Sequence, residues 1–109
     1  MPGSFELKKT ADDQFMFNLR AGNSECILTS ERYKSKQAAL GGIDSVKRNA
    51  SNDDRYEKRP SGSQFYFVLK AANHEIIGTS ERYSSEAARD NGIESVKNTA
   101  PEATTNDLT

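Results

Sequence analysis

The chain has 109 residues, 28% of them charged, yet 15 Lys and Arg stand against 16 Asp and Glu for a formal net charge of −1. That length suits one core rather than two, and balanced charge gives no field that would draw in nucleic acid or an acidic membrane surface. The longest apolar runs, such as Phe65 to Leu69, fall far short of a membrane span, the lone Cys26 closes neither a disulfide nor a Cys-based metal site, and Met1 to Ser4 does not read as a secretory signal, so the expectation is a cytoplasmic protein that takes no nucleic acid, no membrane and no cofactor.

The chain repeats itself. Gln14 to Ala50 superimpose without a gap on Gln64 to Ala100, with about 21 of about 37 positions identical. The match is densest in Thr29-Ser30-Glu31-Arg32-Tyr33 against Thr79-Ser80-Glu81-Arg82-Tyr83, and in Gly42-Ile43-Asp44-Ser45-Val46-Lys47 against Gly92-Ile93-Glu94-Ser95-Val96-Lys97. A unit of about 50 residues buries too little surface to fold comfortably alone. The two units, about 4–50 and 54–100, are therefore expected to share one core in a single domain over 1–100.

In chain order, Phe5 to Lys9 is a weak strand at an edge or crossover, followed by the polar turn Ala11-Asp12-Asp13. Phe15, Phe17 and Leu19 then alternate with Met16, Asn18 and Arg20, and a period of two means a strand whose Phe-Phe-Leu face is the core face. After the break at Gly22-Asn23, Glu25 to Thr29 returns as the second arm of a hairpin. A two-residue loop sets Leu19 opposite Cys26, Phe17 opposite Leu28 and Arg20 opposite Glu25. Ser35 can cap a helix running to about Asn49, with Ala38, Gly42, Ile43, Val46 and Ala50 as its apolar stripe.

The second unit follows the same order. Tyr56 to Arg59 is the weak strand and Pro60-Ser61-Gly62-Ser63 the turn. Phe65, Phe67 and Leu69 alternate with Tyr66, Val68 and Lys70, and Lys70 falls opposite Glu75. Ser85 caps a helix to about Thr99 whose stripe is Ala88, Gly92, Ile93, Val96 and Ala100. Gly42 and Gly92 each cost about 1 kcal/mol inside a helix, which asks for a close approach to the sheet or to the other helix. Arg89 stands in the stripe where the first unit has Ala39, and its head is expected to snorkel into water. Pro101 to Thr109 is polar and aperiodic and is expected to be disordered. The fold class is α+β: two tandem β-β-β-α repeats forming one antiparallel sheet, with two helices on one face and a pseudo-twofold axis.

The pattern Asn23-x-Glu25-x-Ile27-x-x-Ser30-Glu31-x-Tyr33-x-Ser35, followed by Gly42-Ile43-x-Ser45-Val46-Lys47 and repeated from Asn73 to Lys97, resembles the YegP family of small bacterial proteins. The resemblance covers about Phe5 to Ala100. It departs at Gly78, which replaces a larger strand residue, and at Gly22-Asn23, an order the family often reverses. It implies tandem units assembling one antiparallel sheet with helices against it, and carries no established activity, substrate or cofactor.

Isolated reactive residues read as structural. His74 lies in a hairpin turn without a second His or a Cys cluster, and Cys26 aligns with Ile76 as a small apolar filler of the core face. Two surfaces stand as candidates. Ser30, Glu31, Arg32 and Tyr33, with Ser80, Glu81, Arg82 and Tyr83, place hydroxyl, carboxylate, guanidinium and phenol before a helix N-terminus, where an anion could sit; the alternative is that the tyrosines pack the corner and the charges stay solvated. The face of the sheet away from the helices carries Met16, Ile27, Tyr66, Val68 and Ile77, an apolar patch of the kind that takes a partner, although the same residue types suit any exposed strand. The expected role is a non-enzymatic interaction module, monomeric with weak self-association, that meets a protein partner through this open face. The alternative is a small-molecule or anion binder, conceivably an enzyme, using the Ser-Glu-Arg-Tyr corners.

Overall fold

Wherever apolar and polar residues alternate, the chain forms a strand. The computed structural model describes residues 3–109, so the Met1-Pro2 start of the domain, and of the segment read as lacking a signal, lies outside the described residues. The elements are β1 (Ser4–Lys9), β2 (Phe15–Arg20), β3 (Cys26–Thr29), α1 (Lys36–Asn49), β4 (Tyr56–Ser61), β5 (Gln64–Lys70), β6 (Ile76–Thr79), α2 (Glu86–Thr99) and β7 (Thr104–Asp107). Ser35 and Ser85 cap the helices, each hydroxyl accepting from the backbone N–H three residues on, at 3.0 and 3.1 Å. Among the described residues no helix is long and apolar enough to cross a membrane.

One sheet runs β4-β5-β6-β3-β2-β1-β7. The two units meet where β3 and β6 pair antiparallel at Thr29 and Thr79, so a pseudo-twofold axis passes between them. Both helices cover one face, and Phe5, Phe17, Leu19, Ile43 and Val46 of the first unit form a single buried cluster with Phe67, Leu69, Ile93 and Val96 of the second. In each unit three rings line up: Phe17 stacks on Tyr33 at 6.2 Å and meets Phe5 edge-on at 5.7 Å, and Phe67 does the same with Tyr83 and Tyr56.

Those rings explain the helix glycines. A Cβ on Gly92 would lie 2.7 Å from Cζ of Tyr83 and 3.2 Å from Cε2 of Phe67, and Gly42 faces Tyr33 and Phe17 in the same way. Gly92→Ala gains about 1 kcal/mol of helix propensity but overpacks two stacked rings, which costs about 1–3 kcal/mol. The expected net effect is a fall in the urea midpoint; an unchanged or higher midpoint would show that the rings have room to yield. At the pseudo-axis Gly78 makes space of another kind, since a Cβ there would lie 2.6 Å from Cδ2 of Leu28. Two symmetry-related leucines would compete for that space, and the chain supplies one.

Four expectations need correction. The hairpin loops span five residues rather than two, Ala21 to Glu25 and Ala71 to Glu75, and their left-handed residues are Ser24 and His74, each with φ of 70°. A bulge then shifts the register, so Leu19 faces Leu28 and Arg20 faces Cys26, with Lys70 opposite Ile76. Cys26 consequently leaves the core face: it shares a face with Asn18, whose amide donates to Thr29 Oγ1 at 2.9 Å and approaches the Cys26 sulfur at 3.5 Å. Second, the buried stripes contain Ala39 and Arg89 rather than Ala38 and Ala88. Third, Arg89 does not snorkel. Its side chain is 10% exposed, lies over the Phe65 ring at 5.7 Å and donates to Asp90 at 3.2 Å. In the first unit the cation over the matching Phe15 is Lys9, at 5.9 Å, and the position matching Lys9 is Pro60. The strand supplies that cation in one unit and the helix in the other.

The fourth correction is the C-terminal tail. Residues 101–109, expected to be disordered, turn through Ala100–Glu102 and then run parallel to β1 as β7, making the sheet mixed rather than antiparallel. Their polarity suits an edge strand that touches water on most sides, and only Ala103 is buried.

Candidate functional site

The duplicated corners come apart into structural roles. Ser30 Oγ accepts from the Phe17 N–H at 2.8 Å and donates to the Glu31 carbonyl, and Ser80 does the same with Phe67 and Glu81. The Tyr33 and Tyr83 rings lodge beneath the helix glycines, and burial pushes both phenols above their ordinary pKa. Arg32 turns toward Asp12 at 3.6 Å, whereas Arg82 lies over the Tyr66 ring and donates to Ser61. Glu81 and Tyr83 help line a cleft of about 380 Å³ at the first hairpin, beside Arg20, Glu25 and Cys26, and Arg82 is not part of its wall.

The open face differs from its expected form. Ile27 and Ile77 belong to the core cluster, because the bulge turns them toward the helices. Val68 lies on the far face but is 1% exposed, and Met16 and Tyr66 are half-buried. Long charged side chains flank these positions: Arg20 donates to Glu6 at 2.6 Å, with Lys8 alongside, and Lys70 donates to Glu57 at 2.9 Å, with Arg59 alongside. Arg20 holds the Glu6 carboxyl below its usual range, and Lys70 with Arg59 does so for Glu57. The exposed apolar patch therefore does not form.

A different surface emerges at the ends of the sheet. Beside β1 the groove under α1 is filled by the chain itself: Thr104 N–H donates to the Gly3 carbonyl, Leu108 N–H donates to the Leu7 carbonyl at 2.9 Å, and Lys36 pairs with Asp107. The matching groove between β4 and α2 stands open, a cleft of about 650 Å³ floored by Tyr56 and Ile93. The Tyr56 hydroxyl donates to the Ala50 carbonyl, and burial pushes that phenol far up. Asp53, Glu57, Asp90 and Glu94 face Lys58 and Lys97 around it, so the lining carries two more acids than bases. Asp90 pairs with Lys58 at 3.2 Å, and Lys97 pairs with Asp53 and Glu94. Lys58 is the first and Arg89 the second cation holding the Asp90 carboxyl low.

The residues of the two grooves match by their strand pairing. Lys58 faces Phe67 as Leu7 faces Phe17, and Asp90 and Glu86 stand 50 residues after Leu40 and Lys36. This site was missed in the sequence, although its signal is there: Leu7 becomes Lys58, Leu40 becomes Asp90 and Lys36 becomes Glu86. The first of these marks the position that is fully buried in one unit and exposed in the other, and the other two change the charge of the helix beside it.

The strap over β1 carries a pH dependence. Lys36 first, then the Thr109 hydroxyl and N–H, hold Asp107 down at about 2. A carboxyl depressed in the folded state adds stability above its unfolded value, about 3.8, and loses that contribution as pH falls through about 2. Protection of the Leu108 amide against exchange, relative to its intrinsic rate, should therefore fall between about pH 4 and pH 2, and Asp107→Asn should flatten that dependence. Identical profiles for the two proteins would remove the ion pair from the strap.

A family model described as a domain of unknown function, DUF1508, matches residues 11–57 and again 61–107. The UPF0339 protein YegP of Escherichia coli K12 is 56% identical over 59 residues, and a UPF0339 protein of Pseudomonas aeruginosa is 54% identical over 61. The chain spans about half the length of the curated relatives it matches in these alignments, which cover 54% and 56% of the two relatives and the same shares of this chain. The solution structure of a UPF0339 protein from Shewanella oneidensis is similar over 100% of this chain and 93% of its own, with 54% identity and a TM-score of 0.94. That of E. coli YegP covers 100% and 95%, with 51% identity and the same TM-score.

Proposed function

The chain belongs to the DUF1508 family, with two copies of the domain, and we propose that it acts as a non-enzymatic interaction module that receives an extended segment of a protein partner along β4. One observation carries this reading: the pseudo-symmetric groove beside β1 is filled by an extended segment, the chain's own β7. β4 has the groups for the same addition. Phe67 gives both its N–H and its C=O to Ser80 on the β6 side, so Lys58 opposite it turns its own N–H and C=O outward from the sheet. Main-chain pairing of this kind supplies affinity without a chemical step. Pro60, which has no N–H to offer, lies two positions beyond the four-residue stretch that matches the one β7 uses on β1 and stops the ladder there.

The reading can be tested by selecting displayed peptides on the full-length protein and counter-screening on Lys58→Pro. The outward N–H of Lys58 makes that substitution tolerable for the sheet while removing the donor. Selected peptides should shift the Lys58 amide resonance and lose binding to Lys58→Pro at an unchanged melting temperature. Peptides that bind both proteins equally would place the site elsewhere.

A further inference from the structure

From the charge differences between the two grooves, and resting on the reading of β4 as a docking edge, we infer that the β4–α2 groove selects an extended segment with a Lys or Arg at one fixed position, and that Glu86 sets this specificity. On the occupied side the first residue of α1, Lys36, pairs with Asp107, which stands opposite Leu7 in the parallel register. On the open side the first residue of α2 is Glu86, and the strand position matching Leu7 is Lys58. An incoming strand in the β7 register would therefore bring its Asp107-like position to Glu86. Lys58, directly opposite that position, is already engaged by Asp90 at 3.2 Å, so the charge left to decide is Glu86, where a carboxylate meets a carboxylate and a cation meets a partner.

The rest of the groove agrees. Its lining has two more acids than bases, and within it Lys58 already pairs with Asp90 and Lys97 with Asp53 and Glu94. Glu86, one helical turn before Asp90, stands outside the residues that line the cleft and, among the described residues, outside those pairs; placed by its match to Lys36, it is the acid left to read an incoming side chain. The chain's own C-terminal segment carries the wrong sign for this groove, so a second copy's tail is selected against. This repulsive element distinguishes one extended segment from another where the ladder cannot.

The test uses two peptides on the full-length protein: the segment Ala103–Leu108, Ala-Thr-Thr-Asn-Asp-Leu, and the same segment with Asp107→Lys. Shifts of the Lys58 amide report binding at β4, and the Leu7 and Leu108 amides report displacement of the resident strap. The lysine peptide should bind at Lys58 roughly tenfold more tightly, the combined effect of gaining an ion pair and losing a like-charge contact, and Glu86→Lys should reverse the order. Equal affinities, or an order unmoved by Glu86→Lys, would overturn the charge rule while leaving the docking edge standing. If neither peptide moves the Lys58 amide, the docking edge fails with it.

Discussion

Val96→Asp is expected to abolish the cooperative unfolding transition. Val96 is completely buried between α2 and the sheet, in the cluster that joins both units. The change forfeits about 1.5–3 kcal/mol of apolar burial and places a carboxyl among Phe and Leu side chains with no partner, which costs several kcal/mol more. Together these approach the whole stability of a domain this size, about 5–15 kcal/mol. The shared core sharpens the expectation, because Val46→Asp on the first helix should abolish the amide dispersion of the second unit as well. The same substitution at exposed Lys34 should move the midpoint by no more than about 0.5 kcal/mol. A two-state melt for Val96→Asp close to that of wild type would contradict the assigned helix face, and loss of signals in one unit alone would contradict the shared core.

Deleting residues 101–109 is expected to lower stability by about 2–4 kcal/mol and to produce association. The strap's backbone hydrogen bonds, among them Thr104 N–H to Gly3 and Leu108 N–H to Leu7, contribute about 1 kcal/mol each. Loss of Ala103 from the core and partial exposure of Phe5 and Leu7, both fully buried with the strap in place, account for the remainder. The bare β1 would present unpaired N–H and C=O groups next to apolar side chains, a template for another strand. Sedimentation velocity on the shortened chain should show a concentration-dependent shift above the monomer. Asp107→Lys provides a check without truncation, since it sets like charges together and should loosen the strap in the same direction. A shortened chain that melts with wild type and sediments as a monomer would leave the strap without a structural role.

The two ends of the sheet therefore solve one problem differently. β1, apolar at Leu7, is covered by β7, and β4, charged at Lys58 and interrupted at Pro60, needs no cover to stay in water. That asymmetry is what gives the molecule one groove in use and one free.

Much of this was legible in the residues. The repeat, the strand-strand-strand-helix order, both serine caps, the helix ends near Asn49 and Thr99, and the shared core follow from local periodicity and from the size of one unit, properties that depend on near neighbours. Tertiary structure decided the rest. The five-residue hairpin loops and their bulges turned Ile27 and Ile77 inward and Cys26 outward, because a one-residue slip reverses every side chain beyond it. Strand order decided that Arg20 meets Glu6 and Lys70 meets Glu57 rather than the glutamates of their own hairpins. The place of β7 was hidden because a strand at the rim of a sheet has no buried face to impose a period on its residues. The open groove, likewise, is defined by what covers β1 and leaves β4 bare, a difference that exists only once the two ends of the sheet lie some distance apart in the same fold.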